Sequence, residues 1–152
     1  MGTNWALEEA KKLIEKYPEK EEFVIASGVS PSGFIHIGNF REIVTTFFVG
    51  KELENLGKKV RFILSFDDFD RFRKVPKGMP DSYSKYIGMS YTSIPSPFNE
   101  NKTYAKEMED IFVEELNRLG INPETISQIE QYKSGRYDDK IKLAMATRIR
   151  NF

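Results

Sequence analysis

The feature that most limits the fold is an alternation of patterns between residues 23 and 66. Phe23-Val24-Ile25-Ala26-Ser27 is short, uncharged and partly β-branched, and reads as a buried strand. Gly28 to Ile35 is rich in Gly, Ser and Pro and reads as a loop. From His36 to Leu56 the apolar residues Phe40, Ile43, Val44, Phe47 and Phe48 recur with helical spacing, and Gly57 stands where a left-handed residue ends a helix. Val60 to Phe66 is a second apolar run. Strand, helix and strand in this order form a βαβ unit, in which the strands are parallel and the crossover is right-handed.

The flanking sequence extends the same plan. Ala6, Ala10, Leu13, Ile14 and Tyr17 predict a first helix with Asn4 as its N-cap, and Pro18 discourages its continuation. Residues 67–102 are broken by Pro76, Pro80, Pro95 and Pro97, with a short helix predicted near Ser82 to Ile87. A loop this long is usually functional or an insertion. A further helix is predicted from Lys102 to Leu119, with Met108, Ile111, Phe112, Leu116 and Leu119 inward and Gly120 at its end. Thr125 to Gln131 reads as a weaker third strand. Tyr137 to Arg150 reads as a last helix with Ile141, Ala144, Met145 and Ile149 on one face. The β-α-β-α-β order predicts an α/β fold with a parallel sheet covered on both faces.

Composition excludes several function classes. The chain has 152 residues, about one domain. Its 23 basic and 23 acidic residues cancel, so there is no bulk attraction to nucleic acid or membrane, and any RNA contact must come from a local patch. With no cysteine and one histidine, neither a disulfide framework nor a Cys- or His-cluster metal site can form. No run approaches the roughly 20 apolar residues of a membrane helix, and nothing resembles a signal peptide. These readings predict a soluble, cytoplasmic domain.

The segment that carries chemistry is Pro31-Ser32-Gly33-Phe34-Ile35-His36-Ile37-Gly38-Asn39, at the junction of the first strand and its helix. A helix N-terminus presents free N–H groups and a partial positive charge, which suit phosphate. Gly33 permits a tight turn, and Gly38 in the first helical turn lets a flat base or ribose approach the backbone. His36 and Asn39 share a face and can donate hydrogen bonds to phosphate oxygens. Other phosphate loops fit less well. Gly28 and Gly33 have P-loop spacing, but Phe34-Ile35 occupies the place of Lys-Ser/Thr. The dinucleotide pattern Gly-x-Gly-x-x-Gly is absent.

The nine residues resemble the "HIGH" signature of class I aminoacyl-tRNA synthetases in a His-Ile-Gly-Asn form. The longer context, Ala26-Ser27-Gly28-Val29-Ser30-Pro31-Ser32-Gly33, Asp67-Asp68-Phe69-Asp70-Arg71-Phe72-Arg73-Lys74-Val75-Pro76 and Gln131-Tyr132-Lys133-Ser134-Gly135, resembles the lysine-specific class I enzymes. Ser30 stands where many relatives have Thr, a change that keeps the hydroxyl.

The resemblance implies a three-layer Rossmann-like (HUP-type) nucleotide-binding half-domain, incomplete relative to the family. Residues 1–152 would be the amino-terminal part of the catalytic domain, without its second half or the anticodon-binding domain. It implies ATP at Pro31, Gly33, His36, Gly38 and Asn39, with His36 and Asn39 catalytic, and lysine at Gly28, Ser30 and Asp67. The implied reaction joins lysine to ATP as lysyl-adenylate, with Mg²⁺ accompanying the phosphates, and then passes the lysyl group to tRNA-Lys. Arg71, Arg73 and Lys74, with Lys77, would meet the tRNA acceptor end, although a basic run is often a plain solvated face. The family's Lys-Met-Ser-Lys-Ser signature does not occur in these residues, so the chain alone is expected to be inactive.

Two alternatives belong to other classes: a different HxGH-type nucleotidyltransferase, or a non-catalytic nucleotide-binding module. Asp67, Asp68 and Asp70 superficially suit a cation, but the calcium-loop pattern with its closing Glu is missing, and no metal site is expected. In the implied strand order, third, second, first, the first strand becomes an edge. Its uncharged sequence then predicts self-association.

Overall fold

The computed structural model describes residues 4–148. Helix α1 (Trp5–Lys16) begins at Asn4, whose side chain accepts a hydrogen bond from the Leu7 amide, as the sequence predicts. Strand β1 runs Glu22–Val29, α2 Ile37–Asn55, β2 Lys59–Phe66, α3 Tyr104–Arg118, β3 Glu124–Ser127, α4 Gln128–Lys133 and α5 Asp138–Arg148. Between β2 and α3 lie two 3₁₀ turns, Asp81–Tyr86 and Tyr91–Ser93. Gly57 (φ 82°) and Gly120 (φ 73°) end α2 and α3 in the left-handed region, where a Cβ would be strained.

The sheet is parallel, in the order β1-β2-β3, and its architecture is the predicted α/β one. Phe23, Ser27 and Val29 of β1 and Leu64 and Phe66 of β2 point to one face, where α2 and α3 cover them. The approach of α2 is close. A Cβ at Gly50 would lie 2.5 Å from Ile25 Cδ1 and 3.4 Å from Val60 Cγ1, so a side chain there would have to displace the end of Ile25. One core joins Val29, Ile43, Leu64, Phe66, Phe112 and Leu116, and a second joins Ala10, Phe23 and Leu53 beneath α1. Each fully buried leucine or isoleucine among them contributes about 1.5–3 kcal/mol.

Several expectations are corrected. β1 is not buried on both sides, since Val24 on its other face is 50% exposed. Gly28 belongs to β1 rather than to the loop. The other sheet face, with Val24, Ala26, Arg61 and Glu124, carries no helix among the described residues, so the predicted cover on both faces is one-sided here. Phe48 and Leu119, predicted inward, are 49% and 61% exposed. β3 stops at Ser127, and the segment expected to continue it is α4. On α5, Ile141 and Met145 are exposed, and Ile149 lies outside the described residues.

The irregular segment is neither loose nor coreless. Phe72, Met79, Tyr83, Tyr91, Ile94, Tyr104 and Met108 form a third core. Phe72 meets Tyr91 and Tyr104 edge-on, with ring centroids 6.0 and 5.5 Å apart. This core stands directly behind the loop that leaves β1.

Candidate functional site

β1 and β2 run in register to their carboxyl ends, where Gly28 is opposite Ser65 and Val29 opposite Phe66. The next residue, Asp67, donates its amide to the Val29 carbonyl at 2.9 Å. Ser30 and Asp67 therefore leave neighbouring strands side by side. This is the crevice where open parallel sheets bind ligands.

Residues 30–36 lead from β1 into α2. Pro31 is fully buried, so its side chain shapes the loop. Gly33 has no left-handed φ, which corrects the turn argument for it. A Cβ there would stand 3.4 Å from Pro76 Cβ, so its smallness serves packing. The Tyr104 hydroxyl donates to the Ser32 carbonyl at 3.2 Å and ties the loop to the aromatic core. Burial, above all, holds the Tyr104 hydroxyl in its protonated form.

His36 is the N-cap of α2. Its Nδ1 accepts the Gly38 amide at 3.1 Å. An Nδ1 that accepts places the neutral ring's proton on Nε2. The imidazole thus presents a donor at the positive end of a long helix, and Asn39 follows on the same face, partly exposed. Gly38 is constrained from within the protein, because a Cβ at that position would come 2.9 Å from His36 Cε1.

On the other side of the strand ends, Asp67, Asp70, Gln128, Tyr132, Tyr137 and Ile141 line a cavity of about 550 Å³. Desolvation, followed by the charges of Asp70 and Asp68, raises the Asp67 carboxyl above the usual range. An incoming ammonium group would relieve that strain by pairing with it. Tyr132 packs against Phe69 in a tilted pair and against Tyr137 edge-on, with centroids 5.8 and 5.2 Å apart.

Gln128 escaped the sequence reading, and Asp68, weighed there only as part of an acidic cluster, has a different role. Gln128 donates to Ser65 Oγ and accepts from the Tyr137 hydroxyl at 2.8 Å, so it spans the end of the open sheet face. Asp68 is buried. It accepts from Ser127 Oγ and from the Ile129 amide at 2.8 Å, and so pins the β3–α4 corner to the end of β2. The signal for α4 was present: Ser127 and Glu130 have capping-box spacing, and the Ser127 hydroxyl accepts the Glu130 amide at 3.5 Å. Arg71, Arg73, Lys74 and Lys77 are exposed, with Arg73 4.0 Å from Asp70. Among the described residues no group of three or more acidic or imidazole side chains is placed to hold a metal ion.

The sequence pattern of the family described as "tRNA synthetases class I (K)" matches residues 3–150. The chain belongs to the class I (K) tRNA synthetase family. It is 42% identical over 145 residues to the lysine–tRNA ligase of Thermococcus kodakarensis, covering 95% of this chain and 28% of that protein. It is 41% identical over 149 residues to the lysine–tRNA ligase of Treponema pallidum, covering 97% and 28%. The enzyme of Streptomyces coelicolor is 39% identical over 154 residues. The chain thus spans about 28% of the length of the first two synthetases. No helix among the described residues is long and apolar enough to cross a membrane.

Proposed function

We propose that this chain supplies the nucleotide loop and part of the amino-acid pocket of a lysine–tRNA ligase. The observation that carries the reading is the His36 cap, with its Nε2–H presented at the start of α2 one strand away from Asp67. ATP lies with its phosphates toward His36, Asn39 and the first amides of α2. Lysine lies across Gly28 and Ser30 with its α-ammonium group on Asp67. One lysine carboxylate oxygen bonds to the α-phosphorus, the bond from that phosphorus to the pyrophosphate oxygen breaks, and pyrophosphate leaves. His36 and Asn39 stabilise the charge that gathers on the phosphate oxygens in between. Mg²⁺ bound to the nucleotide would supply charge neutralisation at its outer phosphates. A terminal ribose hydroxyl of tRNA-Lys then attacks the lysyl carbonyl, the bond from that carbon to the phosphate oxygen breaks and AMP leaves, with Arg71, Arg73 and Lys74 as the basic contact for the acceptor end.

Calorimetric titration with ATP and Mg²⁺ tests the assignment. The chain is expected to bind ATP, and His36→Ala and Asn39→Ala each to weaken it by about 1.5–3 kcal/mol, the strength of a hydrogen bond to a charged group. Equal heats from wild type and both variants would remove the loop from consideration. No lysyl-tRNA formation is expected from these 152 residues alone, which contain no Lys-Met-Ser-Lys-Ser run.

A further inference from the structure

Glu109 lies on α3, little more than a turn beyond Tyr104, and takes no part in the site above. It is 7% exposed, and its Oε1 is buried with no hydrogen-bond partner among the described residues. A buried carboxyl without a partner is costly, so such groups in folded proteins usually have one. The nearby cations do not supply it. Lys102 and Lys106 are held by Asp110 at 2.9 and 2.7 Å.

Glu109 lines a cavity of about 640 Å³ between α3 and the β3–α4 corner, on the opposite side of the β2 end from Asp67. Its wall includes Asp68, Glu109, Asp110, Glu114 and Glu130 against Lys106 and Lys133. Asp68 is satisfied by Ser127 and Ile129, and Glu114 pairs with Arg118 at 3.2 Å, which leaves Glu109 and Glu130 as the acceptors without a bridging cation among the described residues. Val113 and Phe66 contribute apolar wall to the same cavity. A cavity that combines apolar wall with carboxylates lacking a cation fits a short alkyl chain with ammonium ends. A bare metal ion does not fit, because no three ligands converge here.

We propose that the α3–α4 cavity is a second ligand site, which binds a small aliphatic diamine with Glu109 as the counter-ion of one ammonium group. Glu109 is raised to about 7, first by burial and then by the charge of Asp68, while Lys106 opposes and Asp110 and Glu130 add to the rise. An ammonium group in the cavity restores the ionised form, so near pH 7 binding releases a proton from Glu109.

The probe is 1,4-diaminobutane. Its addition is expected to raise the unfolding temperature beyond the change given by NaCl at equal ionic strength. Calorimetry at pH 7 in two buffers of different ionisation heat is expected to show proton release on binding. Glu109→Gln keeps the shape and removes the charge, and is expected to weaken the diamine by about tenfold or more. Val113→Trp fills the cavity while leaving Glu109 in place, and is expected to abolish binding. Asp67→Asn is expected to leave diamine binding unchanged, and Glu109→Gln to leave ATP binding unchanged, so failure here is distinct from failure of the nucleotide site. An effect reproduced by NaCl, equal affinity in the Glu109→Gln variant, or loss in Asp67→Asn would each overturn the proposal.

Discussion

The imidazole of His36 and the backbone of Gly38 exclude any side chain between them: the ring accepts the Gly38 amide at 3.1 Å, and a Cβ on residue 38 would stand 2.9 Å from its Cε1. The histidine alone therefore accounts for a glycine at this position. Gly38→Ala should push the ring off its cap. Losing a cap costs about 0.5–2 kcal/mol, and alanine returns about 1 kcal/mol through helix propensity, so stability should barely change. ATP affinity should nonetheless fall, because Nε2 moves. Paired thermal unfolding and ATP calorimetry check this; a variant that binds ATP normally would free the two residues from one another.

Asp68→Ala should loosen the β3–α4 corner. The change strands the Ser127 hydroxyl and the Ile129 amide, both only partly buried, so each costs toward the low end of the about 1–3 kcal/mol for a donor left without a partner. Denaturant unfolding should show a loss on the order of 2–3 kcal/mol, and amide exchange at Ile129 should quicken. A loss near zero would mean that the corner is held by β3 pairing alone.

Stability should fall as pH rises through the window between the ordinary carboxyl range and about 7, where Glu109 titrates in the fold. In that window the folded chain binds more protons than the unfolded one, so deprotonation favours unfolding. A rise from 4.5 to about 7 corresponds to about 3 kcal/mol. Asp67 is shifted in the same direction and Asp110 and Glu124 in the opposite one. Urea unfolding between pH 4.5 and 8 should therefore slope downward for wild type and flatten in Glu109→Gln. An unchanged slope in the variant would assign the effect elsewhere.

β1 pairs with β2 on one side, and its other edge is free among the described residues. Val24, the third residue of the strand, is half exposed on the uncovered face. Beyond Glu22 this edge carries no charge, and such an edge is a template for pairing, so the chain should self-associate through β1. Val24→Lys should shift sedimentation toward monomer without loss of fold. A stable wild-type monomer at high concentration would refute the edge as a contact.

How far the sequence could be read depended on the range of the forces involved. Local signals were legible: the Asn4 cap, the βαβ alternation and the loop ending at His36 each lie within a few residues. Periodicity located the apolar faces of α2 and α3 but not how far the sheet extends beneath them, so Phe48 and Leu119 were placed inward although they protrude. Residues 128–131 looked like strand because Ile129 follows β-branched neighbours, while the capping pair Ser127 and Glu130 decided for helix. Gln128 and Asp68 act through partners about sixty residues away, and the burial of Glu109 depends on three elements meeting, so no short pattern announces them.

The bond from Tyr104 to Ser32 links residues 72 positions apart. During synthesis the loop leaves the ribosome well before Phe72, Tyr91 and Tyr104 exist to stand behind it. β1, α2 and β2 can pair early, because their contacts are closer in sequence. The loop acquires its shape only after α3 has begun to emerge. Until then the loop lacks both the Tyr104 hydroxyl bond and the aromatic packing that stand behind it in the fold.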